Sequence, residues 1–138
     1  MKKGVLVLFI LLAVSCQKKF AANEYGKLNG YWEIEKVVFP DGSEKKYVVN
    51  ETVDYFEIND NHGFRKKMMP QLNGKYMGNG LAEKITVTFK DDKAFFDYTT
   101  DYAKWQEQVV AISRDNLVLK NKQGIEYHYK KPIPFTLK

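Results

Sequence analysis

Few side chains in this 138-residue chain can serve as nucleophile, general base or metal ligand. Cys16 is its one thiol, and His62 and His128 are its two imidazoles. The histidines fall on different expected elements, so their spacing sets up no nucleophile–base pair. Asn59-Asp60-Asn61-His62-Gly63 gathers oxygen donors around a histidine, but the glutamate that closes a calcium loop is missing at the required spacing. A hairpin turn explains the same residues. Aspartates and glutamates are plentiful, yet no spacing singles out a carboxylate pair for acid–base work. Positive charge gathers at Arg65-Lys66-Lys67. In a strand Arg65 and Lys67 share one face and Lys66 takes the other. Arg65 and Lys67 are therefore the candidate contacts for an anion, a carboxylate or phosphate, at an open end of the fold. The competing reading is a solvated edge strand protected by its charge. No catalytic residue, metal site or cofactor is expected, and binding rather than catalysis is the expected class.

The setting of Cys16 gives it a different chemistry. Met1-Lys2-Lys3-Gly4 precedes an uncharged run from Val5 to Val14, and Ser15-Cys16-Gln17-Lys18-Lys19 follows. Two lysines and an apolar core of about ten residues have the layout of a secretory signal. As a helix that core spans ~15 Å, against a bilayer core of ~30 Å, which is short for a transmembrane anchor. Ala13-Val14-Ser15-Cys16 resembles the lipobox of bacterial lipoproteins, with Ala13 where leucine is more usual. The resemblance implies cleavage before Cys16 and acylation of its sulfur, making membrane lipid a partner. An ordinary secretory signal is the alternative. Acylation also takes the one thiol out of use as a nucleophile.

The chain then divides into a signal peptide at 1–15, a lipidated cysteine and tether at 16–28, and a domain at 29–138. The tether reaches ~40 Å at most. Lys18 and Lys19 either touch anionic lipid, at about 1 kcal/mol each, or are solvated. The expected place is the cell envelope, at the outer membrane. Gln17 does not argue for retention at the inner membrane. The basic pair after it favours the periplasmic face over the cell surface. Loss of the leader's two lysines lowers the net charge from +5 to +3. With acids and bases interspersed, nucleic acid is not an expected partner. The remaining ~120 residues suit one domain, large enough to do without disulfides.

From Tyr31 on, short period-two runs alternate with turn residues about every ten positions, the pattern of an all-β fold. Strands are expected at Tyr31 to Phe39, then a second made of Lys46 to Val49 and Thr52 to Asn59 with a bend at Asn50-Glu51, then Phe64 to Met68, Lys75 to Met77, Glu83 to Lys90, Ala94 to Thr99, Lys104 to Ser113, Leu117 to Lys120 and Ile125 to Lys130. Hairpin-length turns favour a meander. A meander of 8–10 short strands closes most simply into an antiparallel up-and-down barrel. Alternation points Trp32, Ile34 and Val38 to one face, Phe56 and Ile58 to one face, and Ile85, Val87 and Phe89 to one face. It does the same for Phe96 with Tyr98 and for Ile125 with Tyr127 and Tyr129. In Lys104 to Ser113, Trp105 and Val109 oppose Val110 and Ile112, and the Trp105 face is taken as inward.

Leu28-Asn29-Gly30-Tyr31-Trp32 places Gly-x-Trp at the start of the first strand. This position, after a short leader and before an all-strand meander, resembles lipocalins, and in particular the small lipocalin-like lipoproteins of Bacteroidetes-type bacteria. The resemblance implies a barrel whose floor is closed by Trp32, with Gly30 before it. Thr100-Asp101-Tyr102 and Arg114 match further lipocalin features, the arginine as a partner stacked on the floor tryptophan; a simple turn accounts for either. A disulfide pair is absent, and few residues follow Tyr129 for a C-terminal helix. An eight-stranded barrel is either filled or holds one small ligand. Phe56, Phe89, Phe96, Tyr98, Trp105, Tyr127 and Tyr129 are thus core or cavity wall. Met68-Met69-Pro70 and the loop through Gly80 would form a lid or a plain connection. The expected function is binding of a small apolar or amphipathic ligand. The alternative is a filled barrel that contacts another envelope component through its loops or outer face, including Tyr31 and Val110.

Overall fold

The computed structural model describes residues 26–134. Cys16, the leader and most of the tether lie outside them. A helical turn at 26–28 leads into ten strands. These are β1 (Gly30–Val38), β2 (Glu44–Lys46), β3 (Val53–Asn59), β4 (His62–Pro70), β5 (Tyr76–Gly78), β6 (Glu83–Lys90), β7 (Lys93–Thr99), β8 (Lys104–Ile112), β9 (Asn116–Lys120) and β10 (Glu126–Lys130). Eight of them, β1, β3, β4 and β6 to β10, form an antiparallel up-and-down ring that β10 closes against β1. Strands β2 and β5 are short arms paired to β1 and β4. The expected bent second strand is divided: β2 ends at Lys46, β3 begins at Val53, and residues 47–52 between them form a loop fastened by the Tyr47 N–H donating to the Glu35 carbonyl at 2.9 Å.

Two turns set the register. Asp60-Asn61 joins β3 to β4 and Asp91-Asp92 joins β6 to β7, with φ of 52°, 63°, 51° and 61°. Positive φ at both central residues is type I′ geometry, which matches strand twist and which Asp and Asn tolerate. The segment Asn59 to Gly63 is thus a tight hairpin in which Asn59 pairs with His62.

Two bulges correct the strict alternation read from the sequence. The register of β1 against β10 shifts between Ile34 and Lys36. Val37, rather than Val38, therefore joins Trp32 and Ile34 on the inner face. The register of β8 against β9 shifts between Val109 and Ala111. This turns Ile112 inward beside Val109 and leaves Val110 exposed. One extra residue inverts the facing of all that follow.

The closed end of the barrel is packed solid around Trp32, Phe56, Ile58, Ile85, Val87, Phe96, Leu117 and Leu119. The Trp32 indole N–H donates to the Leu28 carbonyl at 2.7 Å, tying the helical turn beneath the floor. Asn29 clasps β3 at both groups of Ile58: its amide donates to the carbonyl at 2.9 Å and its side-chain oxygen accepts from the N–H at 2.8 Å. Lys131, not Arg114, covers the tryptophan, with Nζ 3.8 Å from the ring centroid. The resemblance had implied Arg114 for this place. Arg114 lies exposed in the β8–β9 turn.

Candidate ligand cavity

The other end of the barrel is open. A cavity of about 480 Å³ enters between the 47–52 loop and Asn121, and descends to Trp32. Its wall is Ile34, Val37, Tyr47, Trp105, Tyr127 and Tyr129. The expected aromatic set divides by height. Trp105, Tyr127 and Tyr129 line the cavity. Phe56, Phe96 and Tyr98 are fully packed beneath or beside it. Phe89 does not face the cavity: it is 43% exposed near the closed end, at the rim of β6. Tyr98 forms the link between layers, stacked on Trp105 at 5.2 Å and edge-on to Phe96 at 6.3 Å.

At the inner end of the cavity sits a charged cluster. Cross-strand register builds it: Asp54 faces Lys67, Phe56 faces Arg65, and Arg65 faces Glu83. The Arg65 guanidinium donates to both oxygens of Glu83, at 3.0 Å from Nε and 2.9 Å from Nη2. Its Nη1 lies 3.4 Å from Glu107 and 3.5 Å from the Tyr98 hydroxyl. The guanidinium also lies over the Tyr98 ring at 4.4 Å and toward Phe56 at 5.9 Å.

Arg65 therefore belongs neither to an edge strand nor to the rim. Strand β4 is paired on both sides, and the Arg65 side chain is 11% exposed. Its charge is engaged by carboxylates rather than held out for an anion. Lys67 shares the inner face and stays more than half exposed, with Nζ 2.7 Å from Asp54 Oδ1. That approach is off line, so the buried Asp54 Oδ1 is paired by charge but receives no aligned hydrogen bond.

Burial shifts the acidities here. It pulls Arg65 down, but Tyr98, Glu83 and Asp54 outweigh it and hold the guanidinium above its ordinary value. Burial pushes Glu107 up, with Arg65 opposing. Tyr98 and Tyr129 are raised well above the ordinary phenol value by burial, again against Arg65.

Asp54, Glu83 and Glu107 were absent from the expected site. Their signal was present: each lies two residues before an inward apolar side chain, Phe56, Ile85 and Val109 respectively. One further step of the same alternation reaches all three.

At the rim, a second hollow of about 460 Å³ lies on the far side of Arg65 and Lys67, lined by Leu81, Ala82, Thr100 and Tyr102. Thr100-Asp101-Tyr102 is a side-chain-closed turn there: Thr100 Oγ1 accepts from the N–H groups of Tyr102 and Ala103 at 3.3 and 3.1 Å. Met68, Met69 and Pro70 are the end of β4 and pair with β5. Among the described residues no group of three or more His, Cys, Asp or Glu is arranged to hold a metal ion.

Residues 28–119 match the model of the lipocalin-like domain family. A putative zinc metalloprotease of Borreliella burgdorferi is 26% identical over 111 residues, covering 67% of this chain and 24% of that protein. The chain thus spans about a quarter of that relative's length. A crystal structure of a lipocalin-like protein from Bacteroides uniformis is similar with a TM-score of 0.48 and 14% identity, over 78% of this chain and 100% of the other. An uncharacterized protein from Bacteroides eggerthii gives 0.47 and 15%, over 76% and 99%. The chain is a member of the lipocalin-like domain family.

Proposed function

We propose that this protein is a lipid-anchored envelope protein whose barrel binds one small amphipathic molecule. The observation that carries the reading is the cavity of about 480 Å³, with an aromatic wall and a polar inner end. Its volume lies within the ~300–1,000 Å³ of small-molecule sites, which pair an apolar lining with a few placed polar groups. An interior left unfilled favours this reading over the filled interaction barrel. The alternative draws on the outer face, where Tyr31 stacks on Tyr76 at 3.9 Å and lies 4.9 Å from Tyr55. Zinc chemistry is not carried over from the Borreliella relative, because the chain spans only a quarter of it.

Anchoring rests on the lipobox-like run ending at Cys16, and the outer membrane, on its periplasmic face, is the proposed place. Native mass spectrometry of protein purified from its own membranes tests the binding function. The expected result is one copurifying small-molecule mass, lost when Trp105→Glu places a charge in the wall. A stoichiometric protein with no small molecule would overturn it in favour of the alternative. Cys16→Ser should release a folded barrel from the membrane fraction; a variant that stays bound and processed would refute the anchor.

A further inference from the structure

The charges at the inner end of the cavity do not balance. Three carboxylates, Asp54, Glu83 and Glu107, meet two cations, Arg65 and Lys67. Arg65 is spent first on Glu83, through two short bonds, and reaches Glu107 at 3.4 Å. Within the cavity lining Asp54 and Glu107 therefore face Lys67, whose side chain is 57% exposed, and the longer, shared reach of Arg65. Asp54 is 3% exposed, and its Oδ1 receives no aligned hydrogen bond. Lys67 Nζ approaches that oxygen off line at 2.7 Å, so an aligned ligand donor adds a hydrogen bond that the lysine does not make. Trp105, Tyr127 and Tyr129 line the same cavity, Tyr129 with its hydroxyl hydrogen-bonded to Asp54, and aromatic faces attract organic cations through the ring quadrupole.

Building on the proposed cavity function, we infer that the bound molecule is an organic amine. Its protonated nitrogen sits at Asp54 and Glu107, and its apolar body lies against Trp105 and Tyr127. A carboxylate ligand of the same body meets the opposite arrangement. It would bring a second anion to Asp54 and Glu107, and the one arginine near it is already bidentate to Glu83.

Three water-soluble probes with one body and different heads test this: 4-phenylbutylamine, 4-phenylbutanoate and 4-phenylbutanol. Binding to the full chain is measured by isothermal titration calorimetry at neutral pH. The amine is expected to bind at least tenfold more tightly than either of the others, and Asp54→Asn should abolish that preference. If that variant does not fold, Glu107→Gln should reduce it several-fold. Binding of the acid or the alcohol as tightly as the amine overturns the inference while leaving the cavity function standing. Failure of all three to bind overturns both.

Discussion

Replacing Arg65 with methionine keeps most of the apolar stem and removes the charge. Glu83 then loses two charge-assisted hydrogen bonds, at 2.9 and 3.0 Å, and Glu107 loses its cation at 3.4 Å. The Glu83 and Glu107 side chains are 22% and 8% exposed, so water replaces little of this. Orphaning buried charges by removing one partner costs about 3–5 kcal/mol. The lost cation over Tyr98 adds about 1 kcal/mol. Lys67, whose side chain is 57% exposed, can turn inward and offset part of the loss, leaving about 3–4 kcal/mol. For a domain of this size that is a fall in Tm of roughly 12–16 °C. Urea unfolding at pH 7, followed by tryptophan fluorescence, measures it directly. The companion variant R65M/E83Q/E107Q removes the orphaned charges together with the arginine and should regain at least half of the loss. A cost below about 1 kcal/mol for R65M, or a triple variant no more stable than R65M, would refute the reasoning that Glu83 and Glu107 depend on Arg65.

The remaining predictions concern other parts of the barrel. Burial raises Glu107 above the ordinary 4.5, so the folded state holds its proton more tightly than the unfolded one. Its contribution to stability is greatest below that value and declines as pH rises through the raised one. The difference in unfolding free energy between E107Q and the parent should therefore move in favour of E107Q as pH rises from below 4.5; a difference independent of pH counts against it. Lys131→Met should cost about 1 kcal/mol through the lost contact with the Trp32 ring, and Arg114→Ala less than about 0.5 kcal/mol. The reverse ranking in thermal melts would show that the wrong cation had been placed on the floor. A Cβ at Gly63 would lie 1.9 Å from the Glu57 carbonyl oxygen. Gly63→Ala should therefore destabilise by about 3 kcal/mol, at the upper end of overpacking, and a melt unchanged from the parent would refute the close approach.

The barrel was legible because turn residues and period-two runs are local signals. Asp60-Asn61 and Asp91-Asp92 mark type I′ turns in the chain itself, and the strands between them follow within a residue or two. The bulges were not legible. An extra residue at Glu35 or Val110 is decided by pairing with a partner strand remote in sequence, so Val37 and Ile112 were assigned to the wrong face. The candidate site was half visible. Trp105, Tyr127 and Tyr129 follow from alternation. The charged cluster was missed because single acids on inward positions look like surface residues until a cation is shown opposite. Arg65 was noticed, but as a member of a basic run, where charge implies solvent. Only the register of β4 between β3 and β6 turns it inward. Phe89 failed for a geometric reason: a strand that outlasts the barrel wall carries its last inward side chain beyond the interior.

The polarity of the barrel bears on how the molecule is handled and how it meets its surroundings. The chain enters through the helical turn under Trp32, at the closed end, whereas the cavity opens beside Asn121 at the other. A support coupled to the N-terminal side holds the molecule by its base and leaves the opening toward bulk solution. Surface capture through an N-terminal tag is therefore the geometry for binding measurements. Under the anchoring proposed for Cys16, the same polarity would turn the opening toward the aqueous compartment rather than toward the leaflet.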